Sequence, residues 1–349
     1  MQVPSSFDRS RGIILMYHRV AEDGPDPWSL CVSSRHFAEH LEVLRRFNRP
    51  MRLQDLVPMI HARRVPAGAA VVTFDDGYAA TVETARSLLE RHDVPATAFL
   101  TTGQIGHRRE FWWDELERIF LQPGVLPDTL KLSLLGQTHE WSLEGTSKYT
   151  EQQARRHRDW RMPAEPPTAR QYLYRLLWER LRPLSNEDRR SAMDALSEWV
   201  GGIRAARPSH RSLLPEEVER LAAGGLVEVG AHSVTHQLLP ALPVEEQRTE
   251  VRFSKAAAEK FAGRPVLSFS YPYGDYTNET QAIVGSAGFN CACSTKPGPV
   301  LPKTNVFALP RLHVENWDGE AFLARLRAAP SAAECRNLPL HTRGSSARS

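Results

Sequence analysis

The chain is short of cysteine, of long apolar runs and of net charge, and each shortage removes a class of protein. Its 349 residues include four cysteines, Cys31, Cys291, Cys293 and Cys335. None forms a C-x-x-C pair, so a zinc ribbon is not indicated. Cys291 and Cys293 alternate along an apparent strand and should face one side. Free cysteine behaves as a small hydrophobe, so buried thiols are expected there rather than a redox pair. The apolar run Ile13–Tyr17 is too short for a secretory signal and far too short to span a membrane. A cytoplasmic protein with no transmembrane segment is the resulting expectation. Lys and Arg number 44 against 41 Asp and Glu, a formal net charge of +3. A nucleic-acid binder usually shows a much more basic face, so no nucleic-acid partner is expected.

What is present suits a globular protein with a sizeable core: 41% hydrophobic and 24% charged residues. Continuous apolar runs at Gly12–Tyr17 and Ala69–Phe74, and then "PATAFLT", alternate with helical patterns such as "SSRHFAEHLEVLRR" and "AATVETARSLLERHD". Strands alternating with helices predict parallel βαβ units, and unbroken apolarity predicts a sheet covered on both faces. The pattern returns after about residue 210 with "LVEVGAH", "VLSFSYPYG", "FNCACST" and "FALPRLHV" as strands. No internal repeat is visible. Residues 106–209 lie between the two halves. They are rich in Trp and Arg, poor in strand signals and too long for a loop of a compact domain. The expected organisation is therefore an α/β chain. A distorted parallel barrel is built from 1–105 and 210–330, with a mostly helical insertion at 106–209. The insertion carries a small hairpin near Leu130–Trp141, and 331–349 form a disordered tail. The arginines of the insertion are read as a solvated face, with contact to an acidic or phosphorylated substrate as the alternative.

Four features carry chemistry. "VVTFDDGYAA" ends an apolar strand in two adjacent carboxylates, Asp75 and Asp76. Asp-Gly is a common turn dipeptide, and a plain turn is the alternative. "AHSVTHQLL" places His232 and His236 four residues apart after another strand. On one helical turn two such imidazoles share a face and can share a metal ion. An Asp at a neighbouring strand end supplies a third ligand and leaves coordination positions open, as a catalytic metal requires. One carboxylate then binds the ion and the other stays free as a base. "SYPYG", Ser270–Gly274, is a tight turn whose backbone N–H groups can face an oxyanion, although such turns are more often structural. "ILMYHRV" puts His18 at the end of the first strand. All four fall at C-terminal strand ends, where barrel active sites are built.

"TFDDG", "HSVTH" and "YPYG", in that order, resemble the motifs of the polysaccharide deacetylases, carbohydrate esterase family four. The resemblance covers Gly12–Gly103 and about Leu213–Val314 and leaves the insertion unexplained. It implies a distorted (β/α)7-type barrel and a divalent metal, zinc first, with cobalt, nickel, manganese or iron as alternatives. It implies Asp76, His232 and His236 as ligands, Asp75 as base and Tyr273 as a backbone donor to the oxyanion. The implied reaction is hydrolysis of the acetamide of an N-acetylated amino sugar. The substrate would be a polysaccharide, an oligosaccharide or a lipid-linked glycan precursor. Removal of a formyl group, opening of a cyclic amide, or an inactive sugar-binding protein are the alternatives. The chain departs from the family pattern at two points. Ser270 stands where many members have an arginine, and Arg311 in "LPRLHV" is the candidate to replace it. The catalytic acid resembles that of a permuted branch and is assigned to His18 in "MYHRV", with His313 as competitor.

Overall fold

A computed structural model describes residues 11–22, 24–143, 145–202 and 205–328. The tail expected to be disordered, and Cys335 within it, lie outside the described residues. Seven parallel strands form the central sheet: β1 (Ile13–Tyr17), β2 (Ala69–Phe74), β3 (Ala96–Leu100), β4 (Val227–Ala231), β5 (Ser268–Ser270), β6 (Cys291–Cys293) and β7 (Leu312–His313). Each strand from β1 to β5 pairs with its successor, and β7 pairs with β1. A two-residue strand, Arg49–Pro50, adds to the start of β2. The circle closes through the segment that leads into β7. Leu309 makes a parallel bridge to Cys293, and three residues later Leu312 pairs with Leu15. The result is the seven-stranded parallel α/β barrel that the alternating pattern predicts.

The continuous apolar runs are explained by burial on both sides of the sheet. Ile14, Val71, Phe99, Cys291, Cys293 and Leu309 pack together on the inner side. Leu15, Val72, Ala98 and Val229 face outward against the surrounding helices. The helix Ser34–Phe47 shows how the sequence sets that outer layer. Ser33 caps it by accepting the His36 N–H, and Phe37, Leu41 and Leu44 are its buried stripe. Phe99 fills the barrel only because position 230 is glycine, where a Cβ would lie 2.4 Å from the Phe99 ring. Cys291 and Cys293 are both buried on the inner side, and burial pushes the Cys293 thiol up to about 12. It is packing material, not a nucleophile.

Between β3 and β4 the chain builds a second hydrophobic cluster. The hairpin Thr129–Leu134/Gln137–Ser142 and the helices Trp112–Phe120, Ala169–Leu181 and Asn186–Trp199 contribute to it. Its members include Leu116, Leu130, Leu177 and Leu196. Among the described residues, no helix is long and apolar enough to cross a membrane.

Candidate active site

The two adjacent aspartates work as a pair because the backbone turns between them. In an extended strand neighbouring side chains point to opposite faces. Here Asp76 adopts φ +74° and Gly77 φ +87°, so the alternation ends at the strand mouth. Asp tolerates the left-handed region better than most residues. The turn is held by Asp75 N–H to the Tyr17 carbonyl (2.9 Å) and Thr101 N–H to the Asp76 carbonyl (3.2 Å). Both carboxylates are buried.

Asp75 is clamped by Arg311. Two parallel bonds join the guanidinium to the carboxylate, Nη1–Oδ1 at 2.7 Å and Nη2–Oδ2 at 2.6 Å. The remaining N–H groups reach the Ser294 carbonyl (2.8 Å), Thr73 Oγ1 (3.1 Å) and Ser270 Oγ (2.9 Å). All five guanidinium donors are thus used, in a side chain with no solvent exposure. Ser270 Oγ donates in turn to Asp75 Oδ2 at 3.3 Å. Burial alone would raise the Asp75 pKa. The charge and hydrogen bonds of Arg311 outweigh it and hold the carboxyl below its usual range. The serine at the family's arginine position is accommodated because the cation arrives from the segment before β7.

His232 and His236 converge on Asp76, but not from a helical turn. Residues 232–238 form no helix, and Ser233 and His236 both have left-handed φ, +61° and +55°. Glu250, on the helix Val244–Ala262, holds this loop by accepting the Val234 and Thr235 N–H groups and the Thr235 hydroxyl. His232 Nδ1 lies 2.7 Å from the Ser270 carbonyl, an acceptor only, so Nδ1 carries the proton. Its Nε2 is left facing Asp76 Oδ1 at 3.5 Å, and His236 Nε2 lies 3.4 Å from the same oxygen. The ligand atoms of Asp76, His232 and His236 lie within 4.8 Å of one another. Two imidazoles and a carboxylate, converging with one tautomer fixed, form a donor set that fits a divalent cation.

His18 follows β1 directly, and its Nδ1 is buried without a hydrogen-bond partner. Burial pushes its pKa down to about 4, against the pull of Asp76 and Asp75, so the ring is neutral near pH 7. His313 packs edge-on against it, with ring centroids 5.7 Å apart. His313 Nε2 is engaged by the Ser29 carbonyl at 3.0 Å. Tyr273 sits in the turn Pro272–Gly274 at φ +58°. The turn's own bonds are donated by Gly274 and Asp275, which leaves the Tyr273 N–H outside them. Its ring stands edge-on to His236 at 4.6 Å.

The model of the polysaccharide deacetylase family matches residues 62–126 and 187–292, a span that includes Asp75, Asp76, His232, His236 and Tyr273. The chain belongs to the polysaccharide deacetylase family. A curated relative, the YxkH protein of Bacillus subtilis (strain 168), also carries a polysaccharide deacetylase name. It is 27% identical over 120 residues, 34% of this chain and 43% of that protein. The match thus spans less than half of the relative's length. Among solved structures, IcaB from Ammonifex degensii aligns with a TM-score of 0.55 at 17% identity, covering 91% of this chain and 96% of that one. Streptococcus pyogenes deacetylase PplD, solved in complex with acetate, aligns with a TM-score of 0.52 at 15% identity, covering 90% and 98%. These likenesses bear on the fold.

In this member of the polysaccharide deacetylase family the aromatic wall over the site has no direct counterpart in the sequence pattern. Trp113 packs on His236 with ring centroids 4.7 Å apart, and Phe111 stacks on Trp113 at 4.5 Å. Trp178 lies 6.3 Å from the Tyr273 ring and packs tilted at 35° against Trp28, with centroids 4.2 Å apart. Arg182 lies over both Tyr273 and Trp178. The "FWWDEL" stretch and the Trp content of 106–209 were the available signals. Neither says which surface those rings meet.

Proposed function

We propose that this chain is a metal-dependent N-deacetylase acting on an N-acetylated amino sugar. The sugar would belong to a polysaccharide, an oligosaccharide or a lipid-linked glycan precursor. One observation carries the reading. A buried carboxylate held ionised by a two-point arginine clamp stands next in sequence to a carboxylate facing two imidazoles, all at the C-terminal mouth of the barrel. Asp76, His232 and His236 would hold a divalent cation, zinc being the first candidate for two nitrogens and one oxygen. Such an ion, when bound, acts as a Lewis acid toward the acyl carbonyl.

The residues of this chain do the rest. Asp75 takes a proton from the attacking water, and Arg311 fixes the direction of its free lone pairs. The Tyr273 N–H donates to the oxygen that gains charge as the new C–O bond forms. The C–N bond then breaks, and the amine nitrogen needs a proton. His18 is neutral at rest, so it delivers a proton only after taking one up. We assign it as a relay whose proton originates on the attacking water. Acetate and a free amine are the products. His313, with Nε2 held by a carbonyl, is assigned to packing beside His18.

The test is a substrate screen that scores acetate against formate, run with metal analysis on three variants. Asp75→Asn should keep its metal and lose about 10²–10⁴ in rate, the usual weight of a general base. Asp76→Asn and His236→Ala should lose the metal and the activity while remaining folded. Formate release would move the chain to a deformylase, and full metal occupancy in His236→Ala would remove the ligand assignment.

A further inference from the structure

His236 lacks something that His232 has. The second nitrogen of His232 is held by the Ser270 carbonyl, whereas His236 Nδ1 is buried with no hydrogen-bond partner. An imidazole ligand ordinarily has its second nitrogen held by a carboxylate, a carbonyl or water, which fixes the ring's direction. Without that bond the ring's outer torsion is broad and roughly two-fold. The surroundings of His236 are aromatic instead. Tyr273 stands at 4.6 Å and 78°, Trp113 at 4.7 Å and 55°.

Trp113 is itself fixed. It is buried, Phe111 stacks on it at 12° between ring planes, and its Nε1–H donates to the Tyr78 hydroxyl at 2.9 Å. Tyr78, buried as well, donates to Asp114 Oδ2 at 2.6 Å. Asp114 neighbours Trp113 on the helix Trp112–Phe120, whose Leu116 and Phe120 belong to the second hydrophobic cluster. An indole tied at its nitrogen cannot turn away from the imidazole it touches.

We propose that Trp113 is a positioning residue for His236, replacing with an aromatic slot the hydrogen bond that Nδ1 does not make. This rests on Asp76, His232 and His236 being a metal site. The Asp114–Tyr78–Trp113 chain thereby makes the helix Trp112–Phe120 part of the metal centre's support. Cobalt(II) is the probe. It is titrated into the metal-stripped full chain and read by calorimetry and by its ligand-field absorption.

Trp113→Leu keeps an apolar side chain there but removes the flat wall. It should weaken cobalt binding by about 10-fold or more, the range for lost outer-shell support, and change the absorption band. Trp113→Phe keeps a ring face but loses the Nε1–H anchor to Tyr78, so it should fall between wild type and Trp113→Leu in both. Trp199→Leu is the stability control. Its indole bonds the Thr129 carbonyl within the second cluster, so it should lower the melting temperature and leave cobalt binding alone. Should Trp113→Leu fail to fold, Tyr78→Phe removes only the hydroxyl that anchors the indole and should produce the same band change in weaker form.

Wild-type affinity and spectrum in Trp113→Leu, or in Tyr78→Phe where that variant stands in, would overturn the proposal. So would an equal loss in Trp199→Leu. A wild-type chain that binds no cobalt, or a His236→Ala variant that binds it as well as wild type, would instead overturn the metal site itself, and the positioning role with it.

Discussion

Arg311→Met is the most informative single perturbation of this barrel. It removes the cation and all five of its hydrogen bonds while keeping an apolar side chain in the hole. Asp75 is then left buried without a counter-charge, and the Ser294 carbonyl and Thr73 hydroxyl each lose a partner. Breaking a buried ion pair by removing one member costs about 3–5 kcal/mol, because the other charge stays behind. Denaturant unfolding should show that loss. The double variant Asp75→Asn/Arg311→Met should recover about 2–3 kcal/mol of it, the coupling expected for groups in direct contact. The pH dependence gives a second check, on chelator-treated protein. In wild type, Arg311 holds the folded Asp75 pKa below the unfolded value. That stability is present above the unfolded value and lost as pH falls through the folded one. Without Arg311, burial is opposed only by the charges of His232 and His18, so the folded value moves up and less stability is gained as pH rises. The gap between variant and wild type should therefore widen with pH. A gap that stays constant, or a double variant whose losses simply add, would refute the claim that Arg311 holds Asp75 ionised.

Other outcomes follow from single contacts. His18→Ala should lower kcat far more than it raises KM, with His313→Ala the milder change, measured on one amide substrate; the reverse ranking would move proton delivery to His313. Gly274→Ala would bring a Cβ to 2.0 Å from Thr295 Oγ1 at φ +74°, so it should destabilise by about 1–3 kcal/mol and cut activity through the Tyr273 turn. An unaltered melting curve would count against that turn's geometry. His40 is buried between Tyr17 Oη and the Trp317 carbonyl, and burial pushes its pKa down to about 4 from 6.5. The unfolded chain takes up the proton first, so stability is full above about pH 6.5 and declines toward about pH 4, by about 3 kcal/mol in total. His40→Gln should flatten that slope relative to wild type; an identical slope would assign the acid lability elsewhere.

What the sequence discloses depends on how local the cause is. The strands could be read because both-face burial leaves unbroken apolar runs, and Asp75 and Asp76 stood out because a charged pair ends such a run. Arg311 was legible only through the family resemblance, as a candidate on a later strand for the cation that Ser270 does not supply, and its contacts to Thr73 and Asp75 span more than 230 positions. The His232/His236 spacing pointed to a shared ion but suggested the wrong backbone. The loop is held by Glu250, a contact that sequence spacing does not show. The helix Leu53–His61 was not read in the sequence, where Pro58 inside it weakens the helical signal. The wall of Trp113, Trp178 and Tyr273 was illegible in a stricter sense. Helical periodicity says which residues are buried together, not which neighbouring element they are buried against.

The closure of the barrel also sets an order of events in time. Asp75 and Arg311 are 236 positions apart, and the segment that carries Arg311 is the one that joins β6 to β1. During synthesis the acidic pair is made long before its cation. Until the last strand docks, the growing chain has an open sheet edge and a carboxylate with no counter-charge at its mouth. One segment supplies both missing parts at once. A product truncated before it is therefore an unfinished barrel, with an unpaired strand edge and an unpaired buried charge.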